Sequence, residues 1–105
     1  MIVPGRKSLG DAALGALEAE LLNEKVEALG RAGRAAQEAL RALAEFDGEA
    51  SERETALDHA ASKVWNFMVQ RELCGFANPA AVIADLEVPG EVVARLGIAP
   101  RRSTL

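Results

Sequence analysis

The sequence predicts an all-α protein with two long antiparallel helices (a helical hairpin) and a C-terminal pair of short helices. Apolar residues recur at steps of three and four along both long segments, and alternating runs typical of strands are short. Alanine and leucine dominate the apolar half of the composition, with only three phenylalanines and one tryptophan. The 105 residues predict a single domain, 1–105.

The first long helix is predicted over 9–47, after a loose N-terminal arm at 1–8. Ser8 and Asp11 resemble a capping box at its start, and Asp47 followed by Gly48 marks its end. Two apolar stripes merge into one broad arc along this helix. The first stripe is Leu14, Leu17 and Leu21; the second is Leu22, Val26, Leu29, Gly33, Ala36, Leu40 and Leu43.

Gly30 and Gly33 interrupt this helix pattern, and each costs about 1 kcal/mol relative to alanine in a helix interior. They predict either a bend or a close approach of another helix. We favour close approach, because Gly33 falls on the second stripe.

The second long helix is predicted over 52–74. Ser51 and Glu54 match a capping box, and Gly75 is a C-terminal cap. The short link to the first helix predicts antiparallel neighbours. Asn78 and Pro79 then open a short helical hairpin at 79–97, which Pro89 divides and a polar tail at 98–105 follows.

Arg71 is the candidate polar site. It continues a stripe of Leu57, Ala61, Val64 and Met68, where an apolar residue is expected. A charge at such a position must be paired or reach water. We favour a structural ion pair with Glu24 or Asp85 over the alternative, a guanidinium that binds an external anion.

No catalytic constellation is found. His59 and Cys74 are the only histidine and cysteine, and their spacing does not suit a metal site, so we expect no metal, cofactor or catalytic residues. Asp58, His59 and Ser62 are too close in sequence for a preorganised triad and predict a solvated face. We expect Cys74 to be buried and inert, although Arg71 one turn earlier leaves a reactive thiol as the alternative.

The segment 80–97 resembles a helix-turn-helix, which makes a degenerate nucleic-acid-binding regulator the alternative function. Its second helix offers Glu91 and only Arg95 toward DNA, and the net charge of the chain is −4. Nucleic-acid binding is therefore not the favoured expectation, and a helical hairpin that closes the core is preferred.

Several short motifs together are similar to a family of short, uncharacterised α-helical bacterial proteins, a domain of unknown function. They are Val64-Trp65, Val69 to Gly75 (VQRELCG), Val88 to Val92 (VPGEV), Leu21 to Lys25 (LLNEK) and Leu29 to Gly33 (LGRAG). This resemblance implies an all-helical fold and carries no catalytic residue with it.

The favoured function is a structural or protein-interaction module that acts as a homo-oligomer, with a dimer expected. A 37-residue helix from Asp11 to Asp47 would be about 55 Å long and would overhang its own domain. The overhang would expose an apolar surface, the candidate oligomer interface. This interface consists of Leu14, Leu17, Leu21, Leu22, Val26 and Leu29. Because the chain has one cysteine, no signal-peptide pattern and no membrane-spanning run, we expect a cytoplasmic protein without a membrane partner.

Overall fold

The computed structural model describes residues 9–96, of which 81% are helical. Four helices follow one another along this stretch, and no strand occurs in it. The predicted all-α class is therefore confirmed. The predicted arm at 1–8 and the polar tail at 98–105 lie outside the described residues. The helices are α1 (Leu9–Ala44), α2 (Ala50–Leu73), α3 (Pro79–Asp85) and α4 (Gly90–Val93).

Helix α1 has 36 residues and passes through Gly30 and Gly33 without interruption. It ends at Ala44, three residues before the predicted end at Asp47. The amide of Phe46 bonds to the carbonyl of Leu43 at 3.1 Å, a shorter-range bond that tightens the chain into a turn. The helix is therefore not broken at the glycines, and the close approach that we favoured occurs at Gly33, against which the Phe67 ring of α2 lies.

Helix α2 begins at Ala50, and its N-cap is Glu49. The prediction that Ser51 caps this helix is therefore wrong. Glu49 has extended backbone angles, and its amide donates to the Glu52 carboxylate at 3.4 Å. Ser51 already lies in the first turn, where its carbonyl accepts from the Thr55 hydroxyl. The cap and its glutamate partner thus lie two residues before the pair that the sequence pattern favoured.

Helices α1 and α2 pack together through small side chains. Neighbours run in opposite sequence directions: the Phe67 ring lies against Gly33, and the Cys74 thiol faces the carbonyl of Lys25. Ala36 and Ala60 are fully buried, which brings the two backbones close together. The core also takes in Ala39, Leu43, Leu57, Ala61, Val64 and Met68.

Helix α2 ends in a Schellman motif. Gly75 has φ +96°, its amide bonds to the carbonyl of Glu72, and the Phe76 amide bonds to the carbonyl of Arg71 at 2.8 Å. Glycine reaches this left-handed conformation without steric penalty. The prediction of Gly75 as the C-terminal cap is confirmed.

Helices α3 and α4 close the far end of the core. Asn78 caps α3 by accepting from the Ala81 amide, and Pro79 is its first residue, as predicted. A turn at Glu87, with φ +52°, leads to α4, which has four residues and packs against α2. The two short helices and their flanks contribute four buried side chains, Val82, Val88, Val92 and Leu96.

The molecule is elongated because α1 is much longer than the rest of the fold. Its Cα radius of gyration is 19.6 Å and its principal extents are 72 × 31 × 19 Å. A compact domain of this length has a radius of gyration of about 13 Å. The predicted overhang of the first helix is present, and it positions the candidate site.

Candidate functional site

The candidate site is the free half of α1, residues 9–26. Helix α2 reaches along α1 only as far as Lys25, where the Cys74 sulfur lies 3.7 Å from the backbone carbonyl. The sixteen residues from Leu9 to Glu24 extend about 24 Å beyond that point. The first buried residue of α1 is Ala32, so this half contributes nothing to the core.

Five of the six residues predicted to form the oligomer interface are exposed in this free half. Each of the five is between 54% and 59% exposed: Leu14, Leu17, Leu21, Leu22 and Val26. The sixth, Leu29, is half-buried near the end of α2. Leu73, in the last turn of α2, is 60% exposed. The five side chains of α1 together make an apolar surface that the single chain leaves uncovered.

Two charged residues lie inside the apolar arc of the free half. Glu18 and Lys25 precede the buried Ala32 by fourteen and seven residues, a spacing that places all three on one side of the helix. The side of α1 that packs against α2 from Ala32 onward therefore carries an acid and a base, Glu18 and Lys25, in the free half of the helix. Charges within an apolar helix face influence which second helix can pack on that face and in which orientation.

A small cleft between the end of α2 and the start of α3 contains the candidate polar residue Arg71. The cavity has a volume of about 130 Å³, and Trp65, Phe76 and Pro79 line it together with Arg71. The Arg71 guanidinium lies 5.6 Å from the ring centre of Phe76 and 5.9 Å from that of Phe67. Cation–π contacts of this kind are favourable, and they are stronger for arginine that is partly desolvated.

The predicted ion pair of Arg71 with Glu24 or Asp85 is wrong. None of the ion pairs among residues 9–96 includes Arg71. The end of α2 turns Phe76 back over the last helical turn, so the guanidinium meets aromatic rings instead of a carboxylate. Its position inside the stripe is compatible with this, because the alkyl stem and the flat guanidinium both pack well on apolar surface.

A group of ion pairs fastens α4 and the residues after it to α2. Arg53 donates two hydrogen bonds to Glu91, at 3.0 and 2.6 Å, and Arg95 donates to Glu54 and Asp58 at 2.5 and 2.6 Å. The hydrogen bond to Glu91 raises the pKa of Arg53, and the same bond lowers the pKa of Glu91. Glu54 and then Asp58 raise the pKa of Arg95 in the same way.

This group uses the two charged residues that the helix-turn-helix hypothesis assigned to DNA. Glu91 and Arg95 both point to α2, and the helix that would read bases has only four residues. Sequence reasoning missed these ion pairs, since their members lie 37 to 41 residues apart and follow no helical period.

Cys74 and His59 occupy unremarkable positions. Cys74 is half-buried at the C-cap of α2, in contact with the Lys25 carbonyl, whereas the prediction was full burial. His59 lies on an exposed face of α2. In the part of the chain that the structure describes, no group of three or more His, Cys, Asp or Glu residues is arranged to hold a metal ion.

None of the helices within 9–96 is both long enough and apolar enough to cross a membrane. A family model described as "Family of unknown function (DUF6665)" matches residues 6–104 of the chain. The chain belongs to this family. The resemblance to an uncharacterised domain is thereby confirmed. The region that matches DUF6665 includes the free half of α1, the Arg71 cleft and the ion pairs. Neither the curated proteins nor the solved structures contain a match to this DUF6665 chain.

Proposed function

We propose that the protein is a structural or interaction module that works as a homo-oligomer, most simply a dimer. The antiparallel α1–α2 hairpin, closed by α3 and α4, is the rigid body of each subunit. The free half of α1 is the surface through which subunits join. The lone cysteine is compatible with a reducing compartment such as the cytoplasm, where we propose that the module acts.

The observation that supports this most directly is the exposure of five large apolar side chains on one projecting helix. Soluble monomers rarely leave a contiguous apolar patch of this kind uncovered. The surface also continues the core-facing side of α1, so a copy seated there would extend existing helix packing. Closed twofold assemblies are the commonest way in which identical chains cover such a surface.

The alternative, a nucleic-acid-binding regulator, has less support. Affinity for duplex DNA rests on several basic side chains that displace counterions from phosphates. Arg53 and Arg95 are each engaged with carboxylates, and the free half of α1 is acidic. An enzymatic role would need an acid, base or nucleophile in a cleft, and the cleft beside Arg71 is lined mainly by apolar and aromatic groups.

Sedimentation equilibrium at tens of micromolar tests the proposal, because it reports mass independently of shape. A dimer has twice the 11.1 kDa of the chain. Native mass spectrometry of the same sample identifies any retained ligand. A single species at the monomer mass would overturn the proposal.

The surface itself is tested by Leu17→Glu combined with Leu21→Glu. Both changes place carboxylates in the apolar arc, and we expect the dimer to dissociate while helix content stays unchanged. Arg34→Glu is the matched control, since Arg34 lies on the exposed polar side of α1. A double variant that remains dimeric would show that the interface lies on another surface.

A further inference from the structure

The segment of α1 from Leu14 to Leu29 is nearly palindromic in chemistry about the bond between Leu21 and Leu22. At equal distances from this bond, each apolar residue of the arc corresponds to another apolar residue, and the one acid corresponds to the one base. The matched positions are Leu21 with Leu22, Glu18 with Lys25, Leu17 with Val26, and Leu14 with Leu29.

Two helices that pack antiparallel about this centre bring the matched positions to the same level. A twofold axis there places Glu18 of each copy level with Lys25 of the other, which gives two ion pairs per dimer. In a parallel, in-register pair every residue is level with its own copy, so Glu18 would oppose Glu18 and Lys25 would oppose Lys25. Opposite charges at such positions select orientation and register.

We propose that the occupant of this surface is a second copy of the chain, antiparallel to the first and centred between Leu21 and Leu22. This inference rests on the proposed function and specifies its geometry. The segment from Leu9 to Leu29 has five acidic residues and one basic residue, so a parallel copy would align like charges along its whole length. The antiparallel copy instead brings Glu18 to the level of Lys25 and the other acidic residues to the level of uncharged residues.

The end of α2 constrains how the second α1 can cross. Because α2 covers the same side of α1 from the level of Lys25 onward, the copy crosses at an angle, and its first turns pass beside the end of α2.

The test uses charge reversal and mixing of two full-length variants. Glu18→Lys places two bases in the arc and Lys25→Glu places two acids, so each variant alone forms like-charge pairs. We expect each to dimerise more weakly than the wild type, on the order of tenfold or more, because two attractive pairs become two repulsive ones. An equimolar mixture restores complementary pairs, and native mass spectrometry should show mainly the mixed dimer.

Glu20→Lys is the control for the first variant, since it makes the same charge change on the polar side of α1. We expect it to dimerise at least as well as the wild type. Variants that each dimerise with unchanged affinity, or a mixture that shows no preference for the mixed dimer, would overturn the antiparallel register while leaving the dimer intact. A monomeric wild type would instead refute the proposed function itself, so the two failures are distinguishable.

Discussion

The ring of Phe67 on α2 lies directly against Gly33 on α1. A β-carbon placed on Gly33 would be 3.1 Å from the Cε1 atom of that ring, tighter than normal van der Waals contact. Gly30, one turn earlier, has only the guanidinium end of Arg34 near the equivalent point, at 3.4 Å. Gly33 therefore leaves room for the Phe67 ring of α2, whereas no residue of the other helices within 9–96 lies against Gly30.

This difference predicts opposite effects of substitution. Gly33→Leu should destabilise the fold by about 1–3 kcal/mol, because the larger side chain overpacks the α1–α2 contact. Gly30→Ala should stabilise it by up to about 1 kcal/mol through helix propensity. Urea unfolding followed by circular dichroism measures both. Equal effects at the two positions would contradict the assignment of Gly33 to the helix–helix contact.

Arg71 is predicted to act through its contacts with aromatic rings. Arg71→Met keeps an unbranched apolar side chain over Phe67 and Phe76, so the free energy of unfolding should fall by less than about 1 kcal/mol, the size of an exposed cation–π contact. Arg71→Ala removes the packing as well and should cost more. Chemical denaturation of the two variants checks this order. A loss of several kcal/mol in Arg71→Met would indicate a carboxylate partner after all.

The Arg53–Glu91 pair should make stability depend on pH in the acid range. The Arg53 hydrogen bond lowers the pKa of Glu91 below its ordinary value of 4.5. The contribution of the pair to the free energy of unfolding is therefore fully present above pH 4.5. It is lost as the pH falls through the lowered pKa that Glu91 has in the folded state. Glu91→Gln should thus lower the thermal midpoint at pH 7, and it should lower it less at pH 3. A deficit that is the same at both pH values would contradict the ionic origin of the effect.

The sequence predicted the parts of the fold that local chemistry determines. The apolar spacing of Leu57, Val64 and Met68 gave the buried side of α2, and Gly75 and Asn78 marked helix ends through backbone and capping preferences. The start of α2 was misplaced because Ser51 and Glu54 match a capping box as well as the residues that form the cap.

Features that depend on tertiary structure were not predictable in this way. Arg71 could be recognised as unusual in its stripe, yet its partner depended on where the chain after Gly75 carries Phe76. The pairing of Arg95 with Glu54 and Asp58 needs α4 to return to α2, and no spacing in the sequence encodes that return. The exposed arc of α1 was predictable, since a long helix beside a shorter one must project beyond it.

The projection of α1 also governs how the molecule moves through solution. A particle 72 Å long and 19 Å across in its thinnest direction experiences more friction than a sphere of the same mass. It should therefore leave a gel-filtration column early, at the position of a larger globular standard, even as a single chain. Scattering at small angles would show the same asymmetry as a pair-distance distribution with a long tail.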